Sequence, residues 1–152
     1  MNARRIAILV SGFLLCGVLA VGVTGAQAAN NVGDLSLALA KDQGIPATDA
    51  QGAWKALQGK KWIPEEVFFT DPVSANVAQV IAIGMIHSGQ KPRQVAIALT
   101  AAASIAAVPL KEAVQGIVAA AIAAGVDINT AAKAASEGAV KGAAAQVAEV
   151  KT

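Results

Sequence analysis

This chain of 152 residues has one Cys, one His and no Tyr, and each scarcity removes a class of function. Cys16 alone allows no disulfide framework, so stability has to come from packing. His87, without a second His or a Cys beside it, makes no transition-metal set; near the end of an apolar helix it reads as a side chain that meets terminal carbonyls or water. Asp127-Ile128-Asn129 opens like a calcium loop, but Ala132 and Gly138 stand where the sixth-place Gly and twelfth-place Glu belong, so the stretch reads as a helix cap. Glu65 and Glu66 follow Pro64 and read as the first turn of a short helix rather than an acid-base pair. Gly59-Lys60-Lys61 lacks the flanking Gly and Ser/Thr of a phosphate loop, and no Ser has a nucleophile-elbow setting. The expectation is a non-enzyme, with no catalytic, cofactor-binding or metal-binding residues.

Charge is also sparse, at 14% of residues, and its distribution matters more than its sum. Arg4 and Arg5 precede an apolar run from Ile6 to Val23, and Ala26-Gln27-Ala28 follows, which is the pattern of a secretory signal peptide at residues 1–28. Cleavage after Ala28 is expected; an uncleaved anchor is the alternative, since the run is just long enough to span a bilayer. Removing those residues takes Lys plus Arg from 12 to 10 against 10 Asp plus Glu, and the exported chain is neutral. A charge-driven grip on nucleic acid is therefore not expected. The compartment implied is periplasmic, outer-envelope associated or extracellular.

What remains, 29–152, is read as a single all-α domain of about six helices arranged as hairpins, in two parts. In the first, 29–71, lie the aromatics Trp54, Trp62, Phe68 and Phe69. Two short helices precede and include Trp54: Gly44 closes the first, a Thr48/Gln51 capping box opens the second, and Gly59 stops it. Leu35, Ala38 and Leu39 share one face, and Ala50, Ala53, Trp54 and Leu57 another, so the two are expected to pack together. In the second part, 72–152, the residues from Ala75 onward include 25 Ala in 78 positions. Pro72, Pro92 and Pro109 each suit a first helical position, Gly89 and Gly125 suit helix ends, and helices are expected near 72–87, 92–106, 109–124 and 129–149. The plan recurs with an offset of 36 residues, from Gly89 to Gly125. No membrane span is expected after residue 28: the uncharged stretch from Val95 to Leu110 is only 16 residues and contains Pro109.

The stretch GDLSLALAKDQGIPATDAQGAWKALQGKKWIPEEVFFTDPVSANVAQVI, residues 33–83, resembles an S-layer homology module in its order of helix, aromatic turn, aromatic loop and Pro before the next helix. The resemblance implies attachment to the cell envelope. Val73-Ser74-Ala75-Asn76 stands where such modules carry Thr-Arg-Ala-Glu, so no binding residue is carried across.

Two surfaces are candidates for binding. Trp54, Lys60, Lys61 and Trp62, with Phe68 and Phe69 near, could stack on and hold an envelope glycan; the plainer reading makes the rings core. In the last helix, Ala132, Val140, Ala143, Val147 and Val150 gather on one side and Ala131, Ala134, Gly138, Gly142 and Ala145 almost opposite. The expectation is that the Val side packs inward and the Ala/Gly side meets a second copy of the chain; the alternative puts the small side against a helix of its own chain. The function expected is an exported structural or protein-interaction component of the bacterial envelope. Glycan binding is second and a membrane-active secreted peptide third.

Overall fold

The computed structural model describes residues 31–151. The export segment, its cleavage point after Ala28 and Cys16 lie outside the described residues. Within them the chain is all-α: α1 (Val32–Asp42), α2 (Ala50–Gly59), α3 (Ala75–His87), α4 (Pro92–Ile105), α5 (Leu110–Ala123) and α6 (Ile128–Lys151). The only extended pairing there is one isolated bridge between Asn31 and Pro72.

Side-chain oxygens start four of these helices by accepting a backbone N–H three residues on: Asn31 from Asp34, Asp49 from Gly52, Ser74 from Val77 and Asp127 from Thr130. The cap of α2 is thus Asp49 and not the Thr48 expected, and α3 starts after Ser74 rather than at Pro72. Of the three prolines, Pro92 alone occupies the first turn; Pro109 is the residue before α5.

Helix ends repeat one device. Gly44, Lys61, Gly89, Ala107 and Gly125 all have positive φ. In each case the following residue donates its N–H to the carbonyl five positions back in the Schellman pattern, as from Ile45 to Ala40, Trp62 to Leu57, Gln90 to Met85, Val108 to Ala103 and Val126 to Ala121. α2 ends at Gly59 as expected, and the left-handed residue of its terminal turn is Lys61. The last three of these positions stand 18 residues apart (89, 107, 125), so the 36-residue offset is two rounds of an 18-residue unit that the Ala at 107 conceals in the sequence. Ala107 is exposed at φ 59°, where a Cβ is disfavoured. Ala107→Gly should stabilise the fold by about 1 kcal/mol, read from the denaturant midpoint; an unchanged or lowered midpoint would mean the turn is not strained.

The α1 and α2 helices pack together as their faces suggest, but the expected consecutive hairpins are not the main organisation of the rest. The most extensive contacts join alternate helices, α4 with α6 and α3 with α5. The reason lies in side-chain size. A Cβ added to Gly116 of α5 would run into the backbone of Ala75 and Gln79 in α3. One on Gly142 of α6 would come within 2.6 Å of Ser104 Cβ and 2.7 Å of the Ala101 carbonyl in α4. More than half of the buried apolar residues among those described are Ala, and the large ones, Leu35, Leu39, Leu57, Ile81, Met85, Leu99 and Ile117, are fully buried between them.

Among the described residues one buried side-chain polar atom goes unpaired: Thr100 Oγ1, in the α4 face beneath Gly138, has no hydrogen-bond partner. Thr100→Val keeps the shape and removes the hydroxyl, and a gain of about 1 kcal/mol in unfolding free energy is expected. Loss of stability would show that the hydroxyl is satisfied in solution.

Candidate functional site

The aromatic connector between α2 and α3 is tied to the start of α1. The first two amides of α1, Val32 and Gly33, donate to the carbonyls of Asp71 (2.9 Å) and Phe69 (3.0 Å), which satisfies donors that a helix leaves unpaired at its N-terminus. The Phe69 ring lies against Gly33, where a side chain would collide with it. Trp54 meets Phe69 edge to face at 6.0 Å and 79°, and its indole N–H points at the Val67 carbonyl, 3.4 Å away. Trp62 follows the left-handed Lys61, is only 8% exposed, and carries Lys60 Nζ 5.6 Å from its ring centroid. The carbonyl side of this turn sits on Gly84 of α3, whose missing Cβ makes the approach possible.

The four candidates Trp54, Lys60, Lys61 and Trp62 thus divide, with Lys60 over the buried Trp62 ring and the half-buried Trp54 ring against Phe69. Lys60 and Lys61 are exposed. Phe68 is the aromatic left outside, 61% exposed, with its backbone N–H held by the Asp71 carboxylate at 2.8 Å. Glu65 and Glu66 are exposed in a turn, closed by the Val67 N–H on the Pro64 carbonyl, and not in a helix as expected.

The last helix corrects the expected association face. Ala131 and Ala134 are fully buried, Gly138 and Gly142 are buried, and both glycines abut α4 of the same chain. Ala145 alone of that set is exposed, at the edge of a groove with Ala38, Lys41 and Ile105. The in-chain alternative is the one observed. Two ion pairs fasten the arrangement: Arg93 to Glu137 at 2.6 Å across α4 and α6, and Lys141 to Asp42 at 3.0 Å across α6 and α1. Both are partly solvated and contribute modestly. The opposite side of α6, assigned to the core, faces outward: Ile128 is 65%, Val140 67% and Val147 56% exposed, with Ala132 and Ala143 exposed between them. Physical sense favours this inversion, because two backbones approach closely through Gly and Ala and so bury more main chain per turn than a Val face would allow.

Sequence reasoning missed that outer face, and the signal for it was present in the four-residue spacing of Gly138 and Gly142, which marks close helix contact wherever the partner helix lies. It missed also the groove between α1, the end of α4 and α6, a space of about 250 Å³ bordered by Asp34, Leu37, Lys41, Ile105 and Glu149. His87 is exposed at the end of α3, beside a shallow apolar hollow with Ile83, Ile86 and Ala120. Asp127 is a cap: the Thr130 hydroxyl donates to it at 2.7 Å and, with the Thr130 amide, holds its carboxyl below the ordinary carboxylate range. Among the described residues no group of His, Cys, Asp and Glu is placed to hold a metal ion, and no helix is long and apolar enough to cross a membrane. No protein-family model, curated protein or solved structure was found to match the chain.

Proposed function

We propose that this protein is an exported, non-enzymatic component of the bacterial cell envelope that works by associating with protein. The observation that carries the reading is the outer face of α6, where three of the large apolar side chains that the fold leaves exposed, Ile128, Val140 and Val147, share one helix. A contiguous exposed apolar face is a mark of contact with something else. The Arg4-Arg5 and Ile6–Val23 pattern supports export, and the resemblance of residues 33–83 to S-layer homology modules agrees with an envelope setting. Fractionation of the host cells with intact-mass analysis tests it: a product beginning at Ala29 in the periplasmic, envelope or extracellular fraction is expected, and a cytoplasmic product retaining residues 1–28 would overturn it.

Glycan binding through the aromatic corner is the second reading, favoured by the exposure of Phe68 beside the solvated Lys60 and Lys61. Purified cell-wall glycan should retain the protein and release Phe68→Ala if it holds. The inward-turned Trp62 ring argues against stacking there, which ranks this reading below association.

A further inference from the structure

We infer that α6 is a hinged arm, which lifts from α4 as a unit about the Gly125 turn while the rest of the fold stays closed. The inference goes beyond the association reading and holds whatever the outer face of α6 meets. Each of the other helices is anchored by at least one large, fully buried side chain: Leu35 in α1, Leu57 in α2, Met85 in α3, Leu99 in α4 and Ile117 in α5. Among the described residues of α6 there is no such anchor. Those it buries are Ala131, Ala134, Ala135, Gly138 and Gly142, and from 143 to 149 no residue is buried. The apolar area that a segment buries sets much of the free energy of opening it alone, and Ala and Gly bury little.

What holds α6 in place acts at short range or in water. Gly138 and Gly142 bring its backbone against the Ile97 and Ala101 carbonyls of α4. Dispersion across so close a contact is forfeited steeply within a gap of about 1 Å, so the interface is made or lost along its length rather than peeled. The ion pairs Arg93–Glu137 and Lys141–Asp42 have solvated partners, with Arg93 44% and Lys141 56% exposed, and water replaces most of what they give. Towards the end of α6, Gln146 Nε2 donates to the Ser104 carbonyl at 2.9 Å. Against these stands Thr100 Oγ1, buried under Gly138 without a partner; it regains hydrogen bonds to water when α6 lifts.

The arm is also self-contained. Asp127 caps it from within, through the amide and hydroxyl of Thr130, so its first turn is held whether α6 is docked or not. The turn that joins it to α5 has Gly125 exposed at φ 102°, a position free to absorb backbone rotation. Lifting uncovers Ile97, Thr100, Ala101 and Ser104 on α4 and removes the Ala145 and Gln146 wall of the groove that Ala38 and Ile105 also line. α6 is thus a lid over one side of α4, and it opens without disturbing the anchored core.

Thiol labelling tests this in the full chain carrying Cys16→Ser. Thr100→Cys places a thiol of nearly the same size beneath α6, and Val95→Cys places one at a site 1% exposed and about 160° further round α4. Each is treated with excess iodoacetamide under native conditions, and its rate is divided by that of the unfolded chain. A thiol at 100 should react at least ten-fold faster than one at 95. Its rate should also rise less steeply over urea from 0 to about 2 M, because lifting α6 exposes less surface than global unfolding. Hydrogen exchange reads the same motion with no substitution at the interface, since a lone helix of 24 residues is marginal in water and loses its protection once undocked. The Ala134 and Gly138 amides should be at least ten-fold less protected than those of Leu99 and Ile117, again with the shallower urea dependence. Equal labelling at 100 and 95 with equal urea slopes would overturn the hinged arm, as would α6 amides protected to the level of Leu99 and Ile117. Neither result depends on where in the cell the protein is found.

Discussion

Gly138→Leu combined with Gly142→Leu is expected to destabilise the protein by about 2–4 kcal/mol. Each substitution taken alone in a solvent-facing helix would add up to about 0.8 kcal/mol of helix propensity, so a stripe facing water would melt higher. Both positions instead lie on α4. A Cβ on Gly138 would meet the Ile97 carbonyl and come within 2.8 Å of Thr100 Cβ, and the collision at Gly142 is with Ser104 Cβ and the Ala101 carbonyl. These are backbone atoms and short side chains that cannot swing aside, and overpacking of this kind costs about 1–3 kcal/mol at each site, less than additively because the two share one interface. Urea denaturation followed by circular dichroism measures the loss. A raised midpoint would show that α6 does not pack on α4 as described.

Trp62→Ala is the second large effect, at about 3–5 kcal/mol. Two contributions converge on the ring: its burial and the amino group of Lys60 over its face. Truncation leaves a cavity where α2, the connector and α3 meet. Phe68→Ala, only a few residues on in the same connector, should change stability by no more than about 0.5 kcal/mol, because that ring is mostly solvated. Equal losses for the two would contradict the division of the cluster into a core ring and a surface ring. The pair also separates the readings of function, since a glycan site centred on Trp62 requires a variant that folds and fails to bind.

Helix positions were legible in the sequence because breakers and caps act locally. Pro92, Gly89, Gly125 and Asp127 each impose a backbone conformation or a hydrogen bond within four residues, and the observed ends of α3 to α5 fall within one residue of those read from them, save the start of α3. There Ser74 competes with Pro72 and prevails, since a hydroxyl that accepts the Val77 N–H adds a bond while a proline only avoids losing one. Lys61 and Ala107 concealed their turns, because neither side chain favours the positive φ that it adopts. The candidate site was read less well. Which side of α6 is inside depends on what α4 offers, and α4 offers carbonyls and short side chains at Ile97, Ala101 and Ser104 that accept Gly better than Val. The four-residue spacing of Gly138 and Gly142 marks a side of close helix contact, but it does not say that the partner helix is α4 of the same chain.

A core built so largely of Ala has a thermal consequence. Burying Ala immobilises no rotamers, so these interfaces form with little loss of side-chain entropy, yet each Ala removes only a small apolar area from water. The heat-capacity change of unfolding follows that area. For a domain of this length it is therefore expected to fall below the usual range of about 12–15 cal/mol/K per residue, giving a stability curve that is low and broad, with cold losing its grip on the fold as slowly as heat.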